Sequence, residues 1–327
     1  MQVGCARIVR SQHFTARQKS DSINTHSIMR ENDSPTPPDA GQRRALIAGG
    51  GGLLGSNITK RLAASGWQAH AFTHAELDIT DADAVRRTVE RLHPDVIING
   101  VATADVDRCE REPAWAYAVN EGGARHLAEA ARAVGAEIVH VSTDYVFDGT
   151  KTGFYTQDDE PHPLSVYAQS KLAGEHAARA ACEQCYIVRT SWLFGVGGKN
   201  FGSRIFDYAR QLPRLKGVTD QTSIPTYAPD LARRIEEIVA LKTYGLYHGV
   251  NSEPASWYDF AQLAFEMAGL KVEIEPVRRA ELKQAAPRPQ NTAMRCLLSE
   301  QLGLAPLRDW REALADFVGE LKTTGGI

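Results

Sequence analysis

The stretch that most constrains this chain lies between Arg44 and Ala64. Ala45-Leu46-Ile47-Ala48 is a short apolar run, the form of a strand buried on both faces of a parallel sheet. It leads straight into Gly49-Gly50-Gly51-Gly52-Leu53-Leu54-Gly55, and the amphipathic segment Ser56 to Ala64 then reads as a helix. Gly49, Gly52 and Gly55 give the spacing G-x-x-G-x-x-G. The first glycine permits a tight turn, the second lets a pyrophosphate approach the backbone, and the third lets helix pack close to strand. The helix start then offers free N–H groups to an anion. Strand, glycine turn and helix in this order predict a dinucleotide site at Gly49, Gly52, Leu53, Leu54 and Gly55.

The rest of the chain alternates in the same way. Trp67 to Phe72 reads as a second strand, followed by a helix from near Asp81 to near Leu92. Asp95 to Ile98 is the third strand; Pro113 opens a long helix through Ala133 that carries Asn120. Ile138 to Val141 is the fourth strand and Tyr186 to Arg189 the fifth. Such alternation predicts an α/β, Rossmann-like, doubly wound parallel sheet with right-handed crossovers. Ligands in these sheets bind beyond the carboxyl ends of strands. Gly49, Ala102, Thr143 and Ser191 all fall at such ends. Asn99-Gly100-Val101-Ala102 supplies small residues where a flat cofactor would lie, which adds Val101 and Ala102 to the cofactor site. The second strand ends in Thr73-His74-Ala75-Glu76, with neither a plain ribose-binding acid nor an arginine for a 2′-phosphate. NADPH and NADH both stay open on these residues. Asp78, beside Ile79, either reaches the adenine edge or caps the helix near Asp81.

The chemistry concentrates between Val141 and Lys171. Thr143 sits where the fourth strand runs out, and a helix begins near Ser165. Tyr167 and Lys171 are four apart, so they share one helical face. An ammonium one turn from a phenol eases the proton off it, and such a phenol can act as general acid to a carbonyl oxygen that a hydroxyl such as Thr143 holds. After the fifth strand, Trp192 belongs either to the core or to a pocket facing a sugar or base. Gly197-Gly198-Lys199-Asn200-Phe201 forms a loop before a helix, and Gln221 to Pro229 is a proline-bounded polar segment before another. Gly245 to His248 reads as a strand with a packed histidine, and Ser256 caps a helix running to Ala268.

Composition narrows the partners. A net charge of −3 gives no footprint for nucleic acid, and no apolar run approaches the roughly 20 residues a membrane span needs. Five cysteines without framework spacing favour a reducing compartment, the cytoplasm, and Cys182-x-x-Cys185 lacks the second pair of a zinc site. No metal ligands are assigned. Residues 1–43, rich in Ser, Gln, Asn, Arg and Pro, read as a disordered extension. Its first twenty residues carry arginines and no acid, a faint likeness to a transit peptide, while Met29 is an alternative start. Residues 44–190 are then mainly the dinucleotide-binding domain. Residues 191–327 are mainly a smaller substrate-binding α/β lobe, with some segments returning to the sheet.

Several stretches together resemble the dTDP-4-dehydrorhamnose reductase family of extended short-chain dehydrogenase/reductases. They are Asp95–Asn99 with Val106-Asp107 and Glu110, STDYVFDG at 142–149, Val166-Tyr167 with SKLAGE at 170–175, and RTSW at 189–192 with Asn200-Phe201. Asp220-Gln221 with Pro225-Thr226, Gly245–His248, and Arg288-Pro289 with Asn291 follow in the family's order. The resemblance implies reduction, with NADPH or NADH, of the C4 ketone of a nucleotide-linked 6-deoxy-4-keto sugar, dTDP-4-dehydro-L-rhamnose first among them. Tyr167 would supply the proton, Lys171 would stabilise its phenolate and bind the nicotinamide ribose, and Thr143 would hold the ketone. Asp144, Tyr145, Trp192 and Asn200 would bind the sugar. Ala48 stands where related chains often have Thr, and Ala168 where the family usually has Gly. Ala102-Thr103-Ala104 replaces an aromatic or His followed by Thr, which leaves the exact sugar open. The family's acidic metal site at a dimer interface has no ligands that can be placed here; a homodimer is one option for assembly. Two other readings share these motifs. One is a non-catalytic, cofactor-binding regulator like the β subunit of methionine adenosyltransferase. The other is a nucleotide-sugar epimerase or dehydratase, for which the second acid after Thr143 is missing, since Tyr145 follows Asp144.

Overall fold

A computed structural model describes residues 41–198, 200–282 and 284–327. The disordered extension expected at 1–43 lies, up to residue 40, outside the described residues. The first half alternates strand and helix: β1 (Arg44–Ala48), α1 (Leu53–Ala64), β2 (Gln68–Phe72), α2 (Ala82–Leu92) and β3 (Val96–Asn99). Then come α3 (Val106–Arg111), α4 (Pro113–Tyr117), α5 (Gly123–Val134), β4 (Glu137–Thr143), α6 (Val166–Ala181) and β5 (Cys185–Thr190). The second half holds β6 (Leu193–Phe194), α7 (Phe201–Gln211), β7 (Arg214–Val218), β8 (Thr222–Ser223), β9 (Thr226–Tyr227), α8 (Ala228–Leu241) and β10 (Gly245–His248). It ends with β11 (Ala255–Ser256), α9 (Trp257–Ala268), β12 (Glu273–Val277), α10 (Leu297–Gln301) and α11 (Trp310–Thr323).

Six strands form one sheet in the order β10-β5-β4-β3-β1-β2, every pair parallel. Alternate strand residues feed two cores. Leu46, Ile97, Ile138 and Ile187 meet α2, α5 and α6 on one face. Ala45, Ile47, Val139 and Val188 meet α1 and α8 on the other. Strands buried on both sides read as continuous apolar runs for this reason. The sheet's direction of winding reverses between β1 and β3, so the crevice for ligands opens over their carboxyl ends. A third core, around Phe194, Phe206, Phe260 and Phe317, belongs to α7, α9 and α11. The second half also returns to the first: β10 pairs with β5, and α8 packs on α1.

Three local readings need correction. Helix α1 starts at Leu53, three residues before the expected Ser56, so Gly55 lies in its first turn. A Cβ on Gly55 would stand 2.2 Å from the Gly49 carbonyl oxygen, so only glycine lets the helix start this close to the strand. The long helix opened by Pro113 is interrupted by a π-helical turn, Ala118–Gly122, which carries Asn120 inward. The Asn120 amide accepts from Thr103 N at 3.0 Å and donates to Ser170 Oγ at 2.9 Å. Asp81, rather than Asp78, caps α2 through Asp83 N and Ala84 N; Asp78 instead accepts from the Thr80 amide and hydroxyl. The Ser256 cap stands as read, with a full capping box through Asp259. Cys182 and Cys185 are buried in the first core, and burial pushes the Cys185 thiol up to about 12.

One buried ion pair joins the layers. Glu175 of α6 receives Arg189 of β5 at 2.9 and 2.8 Å and Ser142 of β4 at 2.5 Å. Breaking such a pair leaves a charge uncompensated in the interior. Glu175→Leu alone is expected to destabilise the protein by about 3–5 kcal/mol in urea unfolding, and Glu175→Leu with Arg189→Met by far less. Equal losses in both variants would show that the pair does not carry this cost.

Candidate active site

Helix α6 aims one face at the end of β4. Ser165 caps it through Ala168 N, which starts the helix so that Tyr167, Lys171 and Glu175 fall one turn apart. The Lys171 ammonium is buried and donates to Val141 O at 2.6 Å. Burial lowers it from its ordinary 10.5 to about 8, and Glu175 works in the opposite direction. The Tyr167 phenol is raised well above its ordinary value, first by burial and then by the charges of Asp144 and Tyr145, while a hydrogen bond with the Thr143 hydroxyl pulls it back. The expected easing of that proton by Lys171 is therefore not met: desolvation dominates, and one of the ammonium's three N–H groups goes to a backbone carbonyl. The phenol stays protonated at neutral pH. Behind the lysine, buried His140 is held neutral by desolvation and by the Lys171 charge.

A cavity of about 430 Å³ opens at this edge of the sheet. Of the residues expected at the cofactor, Gly52, Leu53, Leu54, Gly55, Ala102, Tyr167 and Lys171 line it. Gly49, Asp78, Ile79 and Val101 do not. Gly49 makes the turn at φ 80°, and Ile79 is core, packed over Gly123. The glycine loop fits a dinucleotide phosphate. A Cβ on Gly52 would meet only the Gly49 carbonyl, 3.2 Å away, so the space above the loop is open to the cavity. The first-turn N–H groups of α1 have no intrahelical acceptors and can serve an anion there. At the end of β2, Glu76 accepts from the Thr73 amide and hydroxyl, both at 2.8 Å.

The far wall is aromatic. Tyr145 meets Tyr167 edge to face at 6.0 Å, and its hydroxyl accepts from Gln221 at 3.3 Å. Trp192 stands at φ 41°, a backbone region that costs a non-glycine residue roughly 1–3 kcal/mol. It stacks on Trp257 with ring centres 3.5 Å apart, and Phe201 packs against Trp257 at 4.1 Å. Its indole Nε1 is buried with no partner among the described residues. Trp257 and Phe201 went unassigned in the sequence. The only signal for Trp257 was a large aromatic at the first helical position after a cap, where core packing is not required. Thr143, Asp144 and Asn200 also line the cavity. The Asn200 amide, however, caps α7 through Ser203 N and donates to Gly195 O at 2.9 Å, so its polar atoms already serve the fold. His248 packs edge to face on Phe147, away from this cavity. Among the described residues no cluster of His, Cys, Asp or Glu could hold a metal, and no helix is long and apolar enough to cross a membrane.

A parallel doubly wound sheet, a glycine loop over a cavity, and a Tyr–Lys pair one turn apart facing that loop define the short-chain dehydrogenase/reductase class. Residues 43–323 match the family described as RmlD substrate binding domain, and the chain belongs to that family. It is 42% identical over 282 residues to dTDP-4-dehydrorhamnose reductase of Mycobacterium tuberculosis, covering 83% of this chain and 91% of the relative. It is 37% identical over 279 residues to the spore coat polysaccharide biosynthesis protein SpsK of Bacillus subtilis, covering 85% and 97%. Among solved structures, dTDP-4-dehydrorhamnose reductase of Bacillus anthracis in complex with NADP superimposes with a TM-score of 0.83 at 34% identity, over 85% of this chain and 99% of that one.

Lys171 is the titratable group whose shift is easiest to test. Between about pH 8 and 10.5 the unfolded chain holds a proton on it that the folded chain does not, so stability contributed at this site rises with pH through that window. Lys171→Met is expected to remove an upward slope on the order of 3 kcal/mol from unfolding free energies measured by urea titration across the window. An unchanged slope would mean that the ammonium is not desolvated.

Proposed function

We propose that this chain reduces the C4 ketone of a dTDP-linked 6-deoxy-4-keto sugar with NADPH, converting dTDP-4-dehydro-L-rhamnose to dTDP-L-rhamnose. The observation that carries the reading is the single cavity joining the Gly52–Gly55 loop to Thr143, Tyr167, Lys171 and the stacked Trp192. The names of the Mycobacterium tuberculosis and Bacillus anthracis relatives support the substrate, and the NADP bound to the latter supports the cofactor.

When bound, the nicotinamide supplies the hydride. The chain's own residues do the rest. Backbone N–H groups at Leu53, Leu54 and Gly55 would hold the diphosphate, and Lys171 would hold the nicotinamide ribose. Tyr167 donates to the ketone oxygen and delivers its phenolic proton as that oxygen becomes an alkoxide, a far stronger base than a phenolate; Thr143, whose one proton goes to Asp144, lines the cavity beside it. Trp192, stacked on Trp257, covers the sugar. Residues 44–190 thus mainly carry the cofactor and residues 191–327 mainly cover the sugar. We place the reaction in the cytoplasm, in keeping with four free cysteines among the described residues. A dehydratase or epimerase is not favoured, because the residue after Asp144 is a tyrosine whose phenol burial pushes up to about 12 and not a second acid. A purely regulatory role is not favoured either, since the Mycobacterium tuberculosis and Bacillus anthracis relatives are named as reductases.

The test is loss of reduced-nicotinamide absorbance with dTDP-4-keto-6-deoxy-L-mannose generated in situ, with NADPH and NADH compared. NADPH is expected to be oxidised faster. Cofactor binding without any oxidation would reject the reading. Tyr167→Phe is expected to lower kcat by about 10²–10⁴-fold while NADPH binding by fluorescence titration stays near wild type. Full activity in that variant would remove Tyr167 as the acid.

A further inference from the structure

Asp144 was expected to touch the sugar, but its carboxylate is occupied from within the protein. It is 2% exposed and receives three side-chain hydroxyls. Thr143 Oγ1 donates to Oδ1 at 3.1 Å, Ser223 Oγ donates to Oδ2 at 3.0 Å, and Thr292 Oγ1 donates to Oδ2 as well. Among the described residues no ion pair reaches it; burial raises it to about 6, against the pull of these hydroxyls and its own backbone. An acid held in the interior without a counter-ion is costly, and an amide would serve simple packing at less expense.

The arrangement makes sense through Thr143. A threonine hydroxyl has one proton and two lone pairs. Here the proton goes to Asp144, and Tyr145 N donates to a lone pair at 3.2 Å, so the hydroxyl's orientation is determined from two sides. Thr143 and Tyr167 line the same cavity, and the Thr143 hydroxyl pulls the proton affinity of the phenol down. Ser223 and Thr292 arrive on segments that are themselves backbone-paired: Thr222 N donates to Gln290 O at 2.7 Å, and Thr292 N donates to Thr222 O at 2.9 Å.

We infer that Asp144 is a positioning residue for the reduction: it holds the Thr143 hydroxyl in register with Tyr167 and ties both to the Thr222–Ser223 and Asn291–Thr292 segments of the second half. The inference rests on the ketone-reducing reading of the site. Asp144 acts through Thr143 and not on the sugar.

Steady-state NADPH oxidation with the dTDP-4-keto-6-deoxy sugar separates these roles in wild type, Asp144→Ala, Asp144→Asn and the double variant Ser223→Ala/Thr292→Val. Asp144→Ala is expected to lower kcat by about 10²-fold, the scale of a misplacement near 1 Å, with KM for NADPH within about twofold of wild type. Asp144→Asn keeps one oxygen for the Ser223 and Thr292 hydroxyls and should recover about tenfold of that loss. The double variant loosens the same carboxylate from the other side and should lower kcat by about tenfold, again with little change in KM for NADPH. Wild-type kcat in Asp144→Ala, a loss confined to KM for the sugar, or an Asn variant no better than Ala would each overturn the inference. If Asp144→Ala fails to fold, the double variant decides alone, and wild-type kcat there overturns it. A silent wild type rejects the reductase reading itself, whereas an active wild type with unaffected variants sinks only the positioning role.

Discussion

A buried cation on α6 governs how the centre of this molecule is put together. Among the described residues the Lys171 ammonium has one hydrogen-bond acceptor, the Val141 carbonyl of β4, and burial lowers its proton affinity from the ordinary 10.5 to about 8. One turn further along, Glu175 partly offsets that loss and is itself paired with Arg189 of β5 and bonded to Ser142 of β4. The helix that carries Tyr167 and Lys171 is thus bound to two adjacent strands by charge as well as by packing. The close approach is possible because Gly174 has no side chain; a Cβ there would stand 2.2 Å from the Asn120 carbonyl oxygen. The π-helical turn at Ala118–Gly122 puts that carbonyl where it is, so one unusual turn and one glycine together set the depth of α6.

From that helix the site follows with little freedom. The sheet's winding reverses between β1 and β3, and the glycine loop after β1 stands beside Gly100 after β3; a Cβ on Gly49 would meet the Gly100 carbonyl at 3.2 Å. The cavity over that point is walled by Thr143, Tyr167 and Lys171 on one side and by Trp192, Trp257 and Phe201 on the other. The first wall belongs to the sheet and its helix. The second comes from the later part of the chain, where a tryptophan in a strained backbone is held by stacking. The two walls are joined through Asp144, whose three hydroxyl partners come from both halves.

What the amino-acid order determined by itself was the local chemistry. Apolar runs four or five residues long, glycines at fixed spacing and a Tyr–Lys pair one helical turn apart are short-range patterns, and each follows from strand or helix geometry without knowledge of neighbours. The parallel sheet, the glycine turn, Thr143 at a strand end and the Ser256 cap were legible for that reason. Tertiary structure decided everything that depends on burial or on residues distant in the chain. The proton affinity of Tyr167 turned on desolvation, so its expected easing by Lys171 reversed. Asp78 lost the cap of α2 to Asp81, a choice made by where the backbone turns. Asn200 became a cap, and Asp144 an internal acceptor for Ser223 and Thr292, which lie roughly eighty and one hundred and fifty residues away. Trp257 joined the site through a stack on Trp192 that no periodicity predicts. Spacing along a chain encodes only which side chains share a face; which of them meet water, and which meet one another, is set by packing.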